Sequence, residues 1–77
     1  MYKTFREIIK LWPSYQTLAD DVGASYVTAK QWHVRDRIPS RAWQSLVDAA
    51  KQRKYAGVTL ETLANLDAEY SRKAHAA

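Results

Sequence analysis

The 77-residue sequence contains no cysteine. A disulfide framework and any thiolate metal site, zinc fingers included, are excluded, and the composition fits a reducing compartment. Histidine occurs only at His33 and His75, neither with a second histidine or carboxylate at ligand spacing, so no metal is expected. No apolar run approaches the roughly 20 residues that a membrane-spanning helix needs. The stretch MYKTFREIIKLWP also lacks the long apolar segment and small-residue cleavage site of a secretory leader. A cytoplasmic protein without a membrane partner is expected. There is no paired nucleophile and base and no glycine-rich phosphate loop, and Asp20 and Asp21, adjacent on one predicted helix, point apart. The expectation is therefore no catalytic residue, no cofactor, no small-molecule substrate and no enzymatic activity.

Only two glycines and two prolines interrupt the chain. There is no repeat or low-complexity segment, and the apolar spacing is helical throughout, which predicts an all-α fold. At this length one small domain is expected, over 1–70, with a frayed tail over 71–77. A core of this size is marginal unless helices pack well or a partner subunit covers more surface, so oligomerisation is expected. The formal net charge is +4, and it is unevenly placed. Residues 30–54 hold Lys30, Arg35, Arg37, Arg41, Lys51, Arg53 and Lys54 against Asp36 and Asp48, a local excess of +5. Such a segment suits a phosphate-facing surface, and equally a solvated charged face.

Thr4 and Glu7 form a capping-box pattern before Phe5, Ile8, Ile9 and Trp12, predicting a first helix that Pro13 ends. Ser14 is the predicted N-cap of a second helix bearing Tyr15, Leu18, Ala19 and Val22, stopped by Gly23. Ser25 then caps a third, Tyr26 to about His33, with Ala29 and Trp32 turned inward. Pro39 stiffens the next connection, and Ser40 is the expected N-cap of a fourth helix carrying Trp43, Leu46, Val47 and Ala50. Gly57 punctuates again. Val58 and Thr59 read as staple and N-cap of a fifth helix, whose stripe of Leu60, Leu63, Leu66 and Tyr70 closes the monomer, forms a dimer interface, or does both.

Residues 15–34, YQTLADDVGASYVTAKQWHV, combine small Ala19, Gly23 at the turn and the inward Ala29 and Trp32 at helix-turn-helix spacing. The outer face of the third helix then carries Tyr26, Val27, Lys30 and Gln31, with Thr28 at its edge. If that helix enters a major groove, Gln31 can pair with adenine, Lys30 with guanine or a phosphate, and Tyr26 or Val27 with a thymine methyl. Each also has a plainer reading as a solvent-facing helix residue. Trp32 is expected in the core, and His33 at a helix end or on the surface.

Ser14 to Ala50 resembles the Cro and lambda-repressor type of helix-turn-helix domain found in phage and prophage regulators. The residues that carry the resemblance are L-A-x-x-V-G-A-S at 18–25, Trp32 and R-I-P-S at 37–40, about half the chain. It implies a compact five-helix domain and a sequence-specific double-stranded DNA-binding repressor, acting as a homodimer on a near-palindromic operator. Ser25, Tyr26, Val27, Lys30 and Gln31 would face the groove, Arg35 and Arg37 would touch the DNA backbone, and the wider basic segment adds Arg41 and Lys51. One departure is that many relatives place a glycine shortly after the tryptophan, whereas this chain has His33-Val34-Arg35-Asp36. A winged-helix alternative requires strands after Pro39, where Trp43 to Ala50 has helical spacing instead. A functional alternative is a protein-binding adaptor or inhibitor that uses Tyr26, Val27 and the helix-5 stripe on another protein.

Overall fold

The computed structural model describes the backbone of residues 2–76 and the side chains through Arg72. It is all-α: α1 (Phe5–Ile9), α2 (Tyr15–Val22), α3 (Tyr26–Arg35), α4 (Trp43–Gln52) and α5 (Leu60–Ala76), with a short 3-10 turn over Ser40–Ala42 before α4. No strand occurs among the described residues, which removes the winged alternative.

Most helix starts are closed locally by hydroxyl side chains. Thr4, Ser14, Ser25 and Thr59 each accept a hydrogen bond from the backbone N–H three residues on, at 3.1–3.2 Å. Extended backbone at Thr4, Ser14 and Ser25 aims each oxygen at those otherwise unpaired amides. Two details differ from expectation. Glu7 reaches past Thr4 and accepts from the Lys3 amide at 2.8 Å. Ser40 opens the 3-10 turn rather than capping α4, because Pro39 already holds the extended backbone that precedes the turn. Helix α1 is also shorter than its apolar set. Leu11 and Trp12 follow it through tight bonds to the carbonyls of Ile8 and Ile9, which brings Trp12 into the core immediately before Pro13.

Three helices stop in the same way with three different residues. Gly23, Asp36 and Lys54 all have left-handed backbone, with φ of 75°, 54° and 62°. After each, the next amide returns to a carbonyl five residues back: Ala24 to Ala19, Arg37 to Trp32 and Tyr55 to Ala50. The returning amide satisfies a carbonyl near each helix end, and the left-handed residue before it is usually glycine. Asp36 therefore fills the place of the missing glycine, and α3 continues to Arg35, two residues beyond the expected end.

The core joins Phe5, Ile8, Ile9 and Trp12 to Leu18, Ala19, Ala29, Trp32, Ile38, Leu46, Val47, Val58, Leu63 and Leu66. Ala19 and Ala29 are fully buried where α2 and α3 pack together, and a larger side chain at either would push the helices apart. Trp43 is half-buried against the core, its indole N–H donating to the Ile38 carbonyl at 2.9 Å. The expected helix-5 stripe is divided. Leu63 and Leu66 are buried within the protomer, so they are not available to a dimer interface, whereas Leu60 and Tyr70 are exposed. Helix α5 runs past Tyr70 to Ala76, with no glycine or proline to stop it. Ala77 and the His75 side chain lie outside the described residues.

Candidate nucleic-acid interface

Helix α3 is fixed from behind and at both ends. Ala29 and Trp32 bury its inner face. At its start the Ser25 hydroxyl accepts from the Thr28 amide and donates to Thr28 Oγ1 at 2.9 Å, so this expected base-contacting side chain is already engaged as a cap. At its end Arg6 of α1 reaches across: Nε donates to the His33 carbonyl and Nη2 to the Val34 carbonyl, both at 2.8 Å. Asp36 answers by accepting from the Arg6 amide at 3.0 Å, in the first turn of α1. The end of one helix and the start of another thus close each other. A cation sits at the negative end of the α3 dipole and a carboxylate at the positive end of α1.

The outer face is open. Tyr26, Val27, Lys30, Gln31 and Val34 are all exposed, Val27 and Val34 at 61% and 62%. Val34 was not singled out from sequence, although its position seven residues after Val27 puts it on the same face. Tyr26 is steadied from one side by an edge-on contact with Tyr15, ring centroids 5.8 Å apart. His33 is not an isolated surface residue. It is half-buried, with Nδ1 2.9 Å from the Tyr15 hydroxyl.

Beside this face lies a cleft of about 340 Å³ lined by Thr28, Gln31 and Trp32 and by the side chains of Arg35, Arg37 and Arg41. Three of the expected phosphate-contacting residues are therefore brought together along one flank of α3. Arg37 is partly committed elsewhere. Its Nη2 donates to Asp67 of α5 at 3.0 Å, and its guanidinium stacks over the Tyr70 ring at 4.7 Å. Lys51, exposed in the last turn of α4, does not line the cleft. Spacing alone signalled neither the Arg6 clamp nor the Arg37–Asp67 pair, since each joins residues about 30 positions apart.

Among the described residues no group of three or more histidine or acidic side chains is placed to hold a metal ion, and no helix is long and apolar enough to cross a membrane. No family model, curated protein or solved structure matches this chain.

Proposed function

We propose that this chain is a sequence-specific double-stranded DNA-binding regulator, with α2 and α3 as its helix-turn-helix and α3 as the reading helix. The observation that carries the proposal is the coexistence of a rigidly backed α3, its exposed Tyr26–Val27–Lys30–Gln31 face, and the arginine-lined cleft along its flank. Base edges in a major groove supply acceptors and methyl groups for that face, and phosphates supply the negative charge that the cleft fits. Arg35 and Arg41 bind the DNA backbone, and Arg37 adds the donors that Asp67 leaves unused.

The protein acts as a homodimer in this reading, a repressor of phage or prophage type on a near-palindromic operator. Its two copies of α3 then enter successive major grooves about 34 Å apart. With Leu63 and Leu66 inside the protomer, the outer side of α5, with Leu60 and Tyr70, is the available contact surface.

Fluorescence anisotropy and footprinting of DNA upstream of the gene test this directly. One fragment is expected to bind far more tightly than bulk DNA, with two protected segments about one helical turn apart. Lys30→Ala or Gln31→Ala should each weaken cognate binding by about 1–3 kcal/mol and leave random duplex nearly unchanged. If no fragment binds better than bulk DNA, the regulator reading fails and the protein-binding adaptor takes its place.

A further inference from the structure

The exposed face of α3 has a composition that its position alone does not explain. Val27, Lys30, Gln31 and Val34 stand at i, i+3, i+4 and i+7, a single stripe running the length of the helix. Its two ends are apolar, its middle is polar, and its valines are the most exposed large hydrophobic side chains among the described residues. Such a stripe suits a partner that is apolar at two points and hydrogen-bonding between them. The same spacing occurs where a helix lies lengthwise in the major groove and touches bases along its whole length, rather than entering by its N-terminus alone.

The surroundings of α3 fit lengthwise seating. Its C-terminal end is stiffened by Arg6 and stopped by Asp36. Arg35 and Gln31 line the cationic cleft beside its second half, where a phosphate strand following the helix would run. A helix inserted only by its first turn would leave Val34 in water.

We propose that α3 reads along its full length, with Val27 and Val34 each packing on the C5 methyl of a thymine and Lys30 with Gln31 reading the pairs between. The inference rests on the DNA-binding reading above and names the class of half-site. Seven residues advance about 10 Å at about 1.5 Å each, which matches about three base-pair steps of about 3.4 Å. The half-site therefore carries thymines about three base pairs apart, flanking pairs that present acceptors to Lys30 and Gln31.

The test uses the full chain and duplexes that it enriches from a random-sequence pool. These are resynthesised with deoxyuridine for thymidine at one position at a time, which removes only the methyl, and binding is followed by anisotropy. Two sensitive positions about three base pairs apart are expected in each half-site. Each should weaken binding about fourfold, equivalent to about 0.8 kcal/mol for one methyl-sized apolar group. Val27→Ala should abolish the sensitivity at one position and Val34→Ala at the other, with helicity by circular dichroism and binding to random duplex unchanged.

If only the Val27 position responds and Val34→Ala binds as the parent does, α3 enters by its N-terminus and lengthwise reading is overturned. If duplexes are enriched but uridine is harmless everywhere, the methyl contacts are overturned while sequence-specific binding stands. If nothing is enriched, both the regulator reading and this inference fall.

Discussion

The two ends of α3 are held by opposite means. Its start is closed by Ser25, the residue immediately before it, through a bond to Thr28 three positions on. Its end, beyond the local stop at Asp36, is clamped by Arg6, which lies 27 and 28 positions before the carbonyls it binds. A local cap can form whenever the helix does, even in a chain without tertiary structure, whereas the Arg6 clamp exists only once α1 has docked on α3. What Arg6 adds at the far end of the exposed face is thus a product of the whole fold, and the cap at the near end belongs to the local sequence.

The strongest way to break that comparison is Arg6→Ala. Two charge-assisted bonds to helix-end carbonyls are lost together, and the amide–Asp36 bond remains without its counterpart. A loss of about 2–3 kcal/mol is expected, with a fall in Tm on the order of 10 °C for a domain of this size. Arg6→Lys should recover only part, because an ammonium is a single point donor and cannot span both carbonyls as the planar fork does. Thermal unfolding followed by circular dichroism measures both. If Arg6→Ala melts no lower than Ser25→Ala, the long-range clamp adds nothing beyond a local cap.

Helix α2 repeats the asymmetry and extends it to pH. Ser14 caps its start locally, while Asp21 in its last turn is tied to distant partners. One oxygen accepts from the Trp12 indole at 2.8 Å, and the carboxylate pairs with Arg53 beyond α4. An acid at the negative end of a helix is unfavourable by itself, and these donors offset it. Hydrogen bonding from Arg53 holds the Asp21 carboxyl below its ordinary value of 3.8, against a smaller opposing effect of burial and with further help from Trp12. Since the folded-state value is the lower one, the contribution is complete above the ordinary aspartate range and is lost as the pH falls through the depressed value. Asp21→Ala should therefore lower stability by about 1–2 kcal/mol at neutral pH, chiefly by leaving the indole donor unpaired. The ion pair adds less, because both side chains reach solvent. The ion-pair part of the difference from the parent should shrink in chemical denaturation as the pH falls below the ordinary aspartate value of 3.8; a constant difference would show that Asp21 acts through its hydrogen bond to the indole and not through charge.

The same division explains what could be read in advance. Thr4, Ser14, Ser25 and Thr59 announce helix starts within three residues of themselves, and Ala29 and Trp32 announce the inner face of α3 by their spacing. The outer face follows by subtraction, although Val34 was missed because the expected helix ended at His33. That end was misplaced for a physical reason. The usual stop signal is glycine, and Asp36 adopts left-handed backbone while its carboxylate is engaged by the Arg6 amide. Nothing local reveals that partner. Leu60, Leu63, Leu66 and Tyr70 fit one stripe by periodicity, but α5 turns only Leu63 and Leu66 into the core. Which residues of an amphipathic helix are covered depends on where its neighbours stop.

The smallest expected effect separates stability from binding at the locally made end. Ser25→Ala removes one cap and should cost about 1 kcal/mol, with a correspondingly small fall in Tm. Ser25→Asp keeps an oxygen for the Thr28 amide and adds negative charge at the positive end of the helix dipole, so the folded protein should be within a few tenths of a kcal/mol of the parent or slightly more stable. That charge, however, would stand beside the exposed Tyr26–Val27 surface, where a DNA strand would bring phosphates. Ser25→Asp is thus expected to melt like the parent yet bind duplex more weakly, and Ser25→Ala to melt lower yet bind nearly as well once folded. Tm and anisotropy measured on the same two variants would decide it. If both properties moved together, the start of α3 would be acting on binding through stability alone, and Ser25 would not border the DNA.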